Sequence, residues 1–336
     1  MAPAVRARSV LWVSDERERP ALAVFAPSPV LTITIEASPT SEDEIHLHAG
    51  GQGFWVARMA VILGAEVALC AALGGESGSV LRGLIASRGV ALRAVPAAGP
   101  NGAYVHDRRS GEREPVTAVS SPRLRRHEVD ELFGAMTAAA VTSQVAVLTG
   151  PAHEHVLPSD VYRRLAGDLR RNGVPVIADL TGDALESALA GGIDLLKLSH
   201  EELADIASEP LDSPSRFAEE IGRLQARGAA NVLISRAGEP AVAGIGGELF
   251  RLSGPLFEPL DHHGAGDSMV AALALGTARG LDLQHALRLA VAAGALNVTR
   301  RGLGSGQRAD IERLAEAVQV RPLAAAELRP VPSATG

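Results

Sequence analysis

The chain has 336 residues, 46% of them hydrophobic, which is enough for a large buried core in one α/β domain or two smaller domains. Its formal net charge of −7 includes no block of like charge, so the basic surface of a nucleic-acid-binding protein is absent. Cys70 is the only cysteine, which excludes an intrachain disulfide and a cysteine zinc site.

Two segments in the first part of the chain show alternating, half-polar patterns around turn residues. They lie at approximately residues 30–48 and 99–120. Such patterns are typical of antiparallel strands with one face towards solvent, and they predict a small β flap beside the main sheet.

From residue 54 onward, helical and strand patterns alternate. The helical patterns are FWVARMAVILG, SVLRGLIASRG, DVYRRLAGDLRRNG and SRFAEEIGRLQARG, and the strand patterns are VALCAALG, VAVLTG, VPVIADL, DLLKLS and NVLIS. Continuous apolar strands separated by amphipathic helices predict a mostly parallel sheet covered on both faces. We expect one domain over residues 1–322 and a frayed Ala/Pro-rich tail over residues 323–336.

Neither a leader nor a membrane segment is indicated. Residues 1–19 lack the apolar core of a signal peptide. The uncharged residues 132–152 contain Gly134, Pro151 and several polar side chains, so they predict a helix end followed by the buried strand VAVLTG rather than a membrane span. We expect a soluble, cytoplasmic protein without a membrane or nucleic-acid partner.

The stretch DHHGAGDSMV, from residue 261, combines a small-residue turn with a carboxylate at a helix start. Free N–H groups at the beginning of a helix attract anions, and Gly264, Ala265 and Gly266 would allow a phosphate to approach closely. Asp267 in the same turn could take a proton from an attacking hydroxyl. Ordinary N-capping by Asp267 is the alternative interpretation of the turn alone.

The longer pattern resembles the signature of the ribokinase-like PfkB carbohydrate kinases, nearest the phosphofructokinase and tagatose-phosphate kinase branch. Four further blocks are similar to family segments in the same order: GGQGFW from Gly50, LLKLSHEELADI, ISRAGEPAV and ALNVTRRGLGSG. The resemblance spans approximately residues 21–320. It implies a three-layer α/β/α fold with a β flap that covers the site.

The resemblance also implies the chemistry and the residues of the site. It implies ATP and Mg²⁺ as cofactors, leaves a monovalent cation open, and makes Asp267 the base and the amides of residues 264–266 an anion hole. Glu202 would organise Mg²⁺ through water, with a helix-start carboxylate as the alternative. The nucleotide positions are Ser199, Glu202, Ser235, Gly238 and Gly302, and the substrate positions are Thr32, Gly50, Gly51, Gln52, Trp55, Asn101 and His263.

The departures from the family pattern lie on the substrate side. Thr32 stands where the family has a sugar-binding aspartate, Gln52 and Trp55 replace a lysine and an asparagine, and residues 100–101 replace a Thr-Arg pair. The loss of both cations argues against a substrate phosphate. By itself Trp55 would be assigned to the core as a helix-start aromatic residue, whereas the family register places it in the site.

These observations together predict an ATP-dependent phosphotransferase that acts on an alcohol of a sugar or sugar phosphate. The alternatives are a kinase for an unphosphorylated nucleoside or polyol and a non-catalytic nucleotide or sugar sensor. His46 and His48 would share a strand face and could form a metal-ligand pair, although no third ligand is identifiable. The family's flap strands often pair between subunits, which favours a homodimer.

Overall fold

The computed structural model describes residues 19–38, 40, 42–300 and 303–323. In this part of the chain the strands are β1 (Ala21–Phe25), β2 (Val30–Glu36), β3 (Glu44–Gly50), β4 (Glu66–Leu73), β5 (Ala91–Pro96), β6 (Ala103–Asp107), β7 (Glu114–Val119), β8 (Val145–Thr149), β9 (Val176–Asp179), β10 (Ile193–Ser199), β11 (Ala229–Arg236), β12 (Glu239–Ile245), β13 (Glu248–Ser253) and β14 (Gln319–Pro322).

The helices are α1 (Gln52–Ile62), α2 (Gly75–Ala86), α3 (Arg126–Ala140), α4 (Asp160–Arg171), α5 (Gly182–Gly191), α6 (His200–Ile206), α7 (Pro214–Ala226), α8 (Ala265–Ala278), α9 (Leu283–Asn297) and α10 (Arg308–Ala317). From β4 to β11 most strands are separated by helices, as the sequence predicts, whereas β11–β13 and α8–α10 each follow one another without alternation. No helix among the described residues is long and apolar enough to cross a membrane.

The main sheet, within the described ranges, has ten strands in the order β14-β13-β12-β11-β10-β9-β8-β1-β4-β5. The pairings from β11 through β5 are parallel, and β12, β13 and β14 add an antiparallel edge. The mostly parallel α/β architecture is therefore confirmed. Because the parallel strands point the same way, their carboxyl ends lie along one edge of the sheet, where ligands bind in open α/β folds.

Two hydrophobic clusters cover the two faces of this sheet. In β1, Leu22 and Val24 belong to the cluster with α1, α8, α9 and α10, whereas Ala23 and Phe25 belong to the cluster with α3, α4, α5 and α7. This alternation follows from the two-residue period of a strand. Helix α8 is buried at every residue from 268 to 276, whereas the residues of its first turn, 265–267, are half-buried.

The flap is a second sheet with the order β3-β2-β6-β7. The pairs β2–β3 and β6–β7 are antiparallel as predicted, but β2 and β6 are parallel, so the expectation of a purely antiparallel flap is wrong at its centre. The reason is that α1, β4, α2 and β5 intervene between these two strands, and a long crossover connection permits parallel pairing.

Two other segments can be compared with their predictions. Within residues 132–152, α3 ends at Ala140 and the buried strand β8 follows, which confirms a helix end and a core strand. At the carboxyl end, the Leu323 N–H donates to the Leu249 carbonyl at 2.8 Å. Residues 324–336 of the expected frayed tail lie outside the described residues.

Candidate active site

The GAG turn forms the start of α8. Gly264 is its N-cap with φ 76°, a left-handed conformation that glycine adopts without strain, and a Cβ there would lie 3.2 Å from the Leu303 side chain. The Ser268 hydroxyl donates to the Gly264 carbonyl at 2.8 Å and fixes the turn from inside the helix. The amides of the first helical turn have no intrahelical acceptor, so the turn presents N–H donors to a ligand.

A buried ion pair lies directly beneath this turn. A Cβ on Gly266 would lie 2.4 Å from Lys197 Nζ, so only glycine leaves room for the ammonium group. Lys197 Nζ is 3.5 Å from Asp179 Oδ2, and the two residues are 4% and 1% exposed. Within the described residues, Asp179 interacts with the side chains of Lys197 and Gln52, but neither of its carboxylate oxygens makes a close hydrogen bond. The carboxylate therefore retains the capacity to bind a ligand or water.

The electrostatics of Asp267 suit a general base. Burial raises the pKa of Asp267 to about 8, the charge of Asp179 adds to the increase, and Lys197 opposes it. Burial also raises the pKa of Asp179 to about 6 against the opposing charge of Lys197. Burial lowers the pKa of Lys197, but the charges of Asp179, Glu202 and Asp267 outweigh it and the net shift is upward. A base with a pKa near the working pH transfers protons most effectively.

Ser199 and Glu202 form a reciprocal capping box at the start of α6. Glu202 Oε2 accepts from the Ser199 N–H at 2.7 Å, and Ser199 Oγ accepts from the Glu202 N–H at 3.2 Å. Glu202 Oε2 therefore caps the start of α6, in agreement with the alternative interpretation of this residue as a helix-start carboxylate. Its charge also acts on Asp179 and Asp267, so Glu202 remains close enough to contribute to a cation site.

The fit of Mg²⁺ to this centre rests on the two carboxylates. No group of three or more His, Cys, Asp or Glu side chains in the described part of the chain forms an all-protein metal site. Mg²⁺ is usually held by one or two carboxylates together with water and substrate phosphates. The Asp179 carboxylate, which makes no close hydrogen bond among the described residues, and the nearby Glu202 match that donor set.

A cavity of about 420 Å³ opens beside the GAG turn. It brings together Ser199, Ser235 and Gly238 with Ala265 and Gly266, so these predicted nucleotide residues lie around one space. Apolar side chains from α8, α9 and the segment before α8 line the rest, and this lining suits a flat base. Gly302, the remaining predicted nucleotide residue, lies outside the described residues.

A second cavity of about 70 Å³ lies at the start of α1. Gly51, which has φ 98°, and Gln52 line it together with residues 150–152 and with Ala26, Ser28 and Pro29. The Gln52 side-chain oxygen accepts from the Gly150 N–H at 3.1 Å, so this side chain joins two of the loops. Two of the predicted positions, Gly51 and Gln52, therefore line a cleft, and Gln52 also interacts with the buried Asp179.

Thr32 and Gly50 meet at the base of the flap. Thr32 Oγ1 is buried without a hydrogen-bond partner among the described residues, and it would lie 2.7 Å from a Cβ on Gly50. Two other buried flap atoms, His106 Nδ1 and Arg108 Nε, also lack a partner in that part of the chain. Unpartnered polar atoms on the flap are consistent with a polar acceptor beneath it.

Asn101 and Trp55 have packing roles. Asn101 Oδ1 accepts from the Gly74 N–H, and Nδ2 donates to the carbonyls of Pro29 and Ala72, each at 3.0 Å. Trp55 is 8% exposed in the core cluster that contains α8, with its ring 5.0 Å from the Phe54 ring. These contacts within the protein explain the positions of Asn101 and Trp55. A substrate contact by either residue stays a prediction.

His263 is tied to the turn that precedes α8. Asp261 Oδ1 accepts from the His263 N–H at 3.0 Å and lies 2.6 Å from His263 Nδ1. Burial raises the pKa of Asp261, but bonds from His263 and Arg108 outweigh it and hold that pKa below its ordinary value. The His263 side chain is 64% exposed, so it is accessible for the predicted substrate contact.

Sequence reasoning did not assign a site role to Asp179, Lys197 or Arg108. Asp179 follows the buried run VPVIA, and Lys197 interrupts the apolar strand DLLKLS. A charged residue at the carboxyl end of a buried parallel strand is a signal that could have identified the first two. Arg108 gives no such signal, because only the tertiary structure brings the flap to Asp261.

The chain is similar to known proteins in both sequence and fold. The sequence model of the family described as pfkB family carbohydrate kinase matches residues 28–310. An ATP-dependent 6-phosphofructokinase isozyme 2 of Mycobacterium tuberculosis is 29% identical over 306 residues, 89% of this chain and 90% of that protein. A 1-phosphofructokinase of Vibrio cholerae is 27% identical over 282 residues, 82% of this chain and 87% of that protein.

Solved structures show the same fold. Phosphofructokinase-2 from Escherichia coli in complex with potassium has a TM-score of 0.77 at 24% identity, covering 88% of this chain and 98% of that one. Arabidopsis thaliana ribokinase complexed with ribose and ATP has a TM-score of 0.68 at 21% identity, covering 89% and 99%. Both likenesses confirm the ribokinase-like α/β fold.

Proposed function

The chain belongs to the pfkB family of carbohydrate kinases, and on that basis we propose that it transfers the γ-phosphoryl group of ATP to an alcohol of a sugar or sugar phosphate. The observation that carries the proposal is the half-buried Asp267 in the GAG turn, two residues of which, Ala265 and Gly266, line the large cavity. Phosphoryl transfer needs this combination, since donors stabilise the transferring oxygens while a base accepts the hydroxyl proton.

The roles of the residues follow from their positions. Asp267 accepts the proton of the acceptor hydroxyl, and the first-turn amides of α8 hold the transferring group. Burial raises the pKa values of Asp179 and Asp267, and the positive charge of Lys197 opposes this rise and so favours their ionised forms. The cavity lined by Ser235 and Gly238 takes the nucleotide.

Asp179 and Glu202 would hold Mg²⁺, directly or through water. When bound, the ion neutralises charge on the phosphates during transfer. A monovalent cation is a further candidate, because a structurally similar phosphofructokinase-2 is described in complex with potassium. Turnover compared in potassium and in tetramethylammonium chloride at equal ionic strength tests this requirement.

For the acceptor we propose a sugar or sugar phosphate bound between the flap and the small cavity at Gln52. The relatives named as 6- and 1-phosphofructokinases favour a phosphorylated hexose. The absence of a cation at Gln52 and at residues 100–101 argues that any phosphate is recognised by other residues than in those relatives.

The decisive experiment measures ADP release over a panel of sugars, sugar phosphates and nucleosides with Mg²⁺ and ATP. The matched control is Asp267→Asn, which keeps the shape of the side chain and removes the base. We expect turnover with a sugar or sugar phosphate in the wild type and a loss in the variant. Saturable ATP binding without turnover on any acceptor would refute the kinase proposal in favour of a nucleotide sensor.

A further inference from the structure

Arg108 links the flap to the segment that leads into the GAG turn. It follows β6, and its backbone N–H donates to the Ile35 carbonyl of β2 at 2.8 Å, so its backbone is fixed to the flap. Its Nη2 donates to Asp261 Oδ2 at 2.8 Å, across 153 residues of sequence. The side chain of Arg108 is 19% exposed and that of Asp261 is 6% exposed.

Further hydrogen bonds connect Asp261 to the start of α8. The other oxygen of Asp261 accepts from the His263 N–H, and the His263 carbonyl accepts from Asn297 Nδ2 at 2.8 Å. The Ser268 hydroxyl donates to the Gly264 carbonyl at 2.8 Å and lies 3.2 Å from Asn297 Oδ1, so its single hydrogen is shared between these two acceptors. A connected set of polar contacts therefore runs from the flap to the turn at the start of α8.

The neighbouring arginine shows that this arrangement is specific to Arg108. Arg109 is half exposed and pairs with Asp43 and Asp107, both within the flap segments. An exposed pair of that kind contributes little. The Arg108–Asp261 pair is shielded, and removing one partner leaves a buried charge without its counterion, which is strongly unfavourable. Glu36 of β2 lies 4.0 Å from Arg108 Nη1, and His263 contacts Asp261. Burial lowers the pKa of His106 of β6, which is close enough for the charge of Arg108 to lower that pKa further.

We propose that Arg108 is a positioning residue that couples the placement of the flap to the geometry of the GAG turn through Asp261. The inference rests on the proposed kinase function, in which the flap covers the acceptor and the turn holds the transferring group. Arg108 acts through Asp261 and touches none of the proposed reacting atoms. The flap and the turn therefore reach their working positions together.

Kinetics of Arg108→Gln test the proposal first. Small displacements of reacting groups lower rates steeply, so we expect kcat to fall about 10- to 100-fold while the KM for ATP changes little. Arg108→Lys keeps one donor for Asp261 and should recover part of kcat. Arg109→Gln is the matched control and should leave kcat unchanged. An increase confined to the KM for the acceptor would overturn the proposal, because Arg108 would then be a substrate-binding residue.

Hydrogen exchange provides a readout that does not depend on turnover. We expect faster amide exchange over residues 262–268 in Arg108→Gln and in Asp261→Asn, no further increase in the double variant, and wild-type exchange in Arg109→Gln. Unchanged exchange in Arg108→Gln would refute the coupling even if kcat fell. If Arg108→Gln does not fold, Arg108→Lys and Asp261→Asn decide by the same measurement. A wild type without turnover would refute the kinase function alone, since exchange still reports on the coupling.

Discussion

Asp267 is a half-buried carboxyl group at the position of the proposed base, and its partial burial has opposite consequences for stability and activity. Burial and the neighbouring Asp179 both disfavour its ionised form. Keeping Asp267 ionised in this environment therefore lowers the free energy of unfolding, as is common for residues at functional sites. The GAG turn and Lys197 keep the cost tolerable by placing N–H donors and a cation nearby.

Substitution Asp267→Asn should separate the two effects. General-base catalysis is worth about 10²- to 10⁴-fold, so we expect kcat to fall by that factor.

The same substitution should change how stability depends on pH. The pKa of Asp267 in the folded protein, about 8, lies above its ordinary value of 3.8. The stability that Asp267 contributes is therefore fully present below pH 3.8 and is lost as the pH rises through about 8. The variant should therefore gain thermal stability relative to wild type as the pH rises, by about 0.5–2 kcal/mol. Melting curves at pH 5 and pH 8 measure the difference, and an equal offset at both values would contradict it.

The pH dependence of kcat/KM should report the same group. We expect activity to decrease as the pH falls below about 8, where Asp267 becomes protonated in the free enzyme. Because the charge of Asp179 raises that pKa, Asp179→Asn should move the acidic limb to lower pH even though it also reduces activity. Asp212→Asn, at an exposed position between α6 and α7, is the control. A limb that stays in place in Asp179→Asn would show that another group titrates.

At the scale of elements, the site depends on the approach of the α8 start to strand β10. Gly266 has no side chain, so Lys197 Nζ can approach the helix backbone closely. A Cβ on residue 266 would lie only 2.4 Å from this nitrogen. The ammonium group is thereby held between the first turn of α8 and Asp179 at the end of β9. A helix and two strands that are separate in sequence thus share one cation, and the spacing between them sets the geometry of the centre.

Gly266→Ala should disturb this spacing. The new methyl group would push Lys197 away from Asp179, and we expect kcat to fall at least about tenfold, since a shift of about 1 Å at a reacting centre can cost 10²-fold. Gly83→Ala in α2 is the matched control, because a Cβ there meets nothing within 4 Å. Activity assays with melting curves check the prediction. Wild-type kcat in Gly266→Ala would show that Lys197 has room to move without loss.

At the scale of the whole molecule, the flap has one face that the described residues leave partly uncovered. Residues on that face near the base, such as Leu31 and Ala49, pack on the main core. Ile45, Leu47 and Val119 on the same face are 65%, 44% and 61% exposed. An apolar patch of this kind is typical of an interaction surface. We propose that it pairs with the flap of a second copy, in line with the homodimer that the sequence predicts.

Leu47→Glu should dissociate that dimer. A charge within a small apolar interface is costly unless it is paired, so we expect the variant to be monomeric at concentrations where the wild type is dimeric. Val141→Glu, at an exposed apolar position after α3, is the control. Light scattering coupled to gel filtration measures both masses. Equal masses for the wild type and Leu47→Glu would refute the flap interface.

The fold class and a candidate centre of the site could both be predicted from the sequence. Apolar strands alternating with helices predict the mostly parallel sheet, because hydrophobic periodicity is local. The GAGD turn predicts Asp267 as the base and the neighbouring amides as an anion site, since a small-residue turn at a helix start has a local chemical meaning. Which charges meet at that turn depends on long-range packing. Lys197, Asp179 and Arg108 lie on separate segments of the chain, and their ion pairs form only when those segments pack together. The burial of Trp55 in the core also depends on packing between distant elements, which a local sequence pattern does not show.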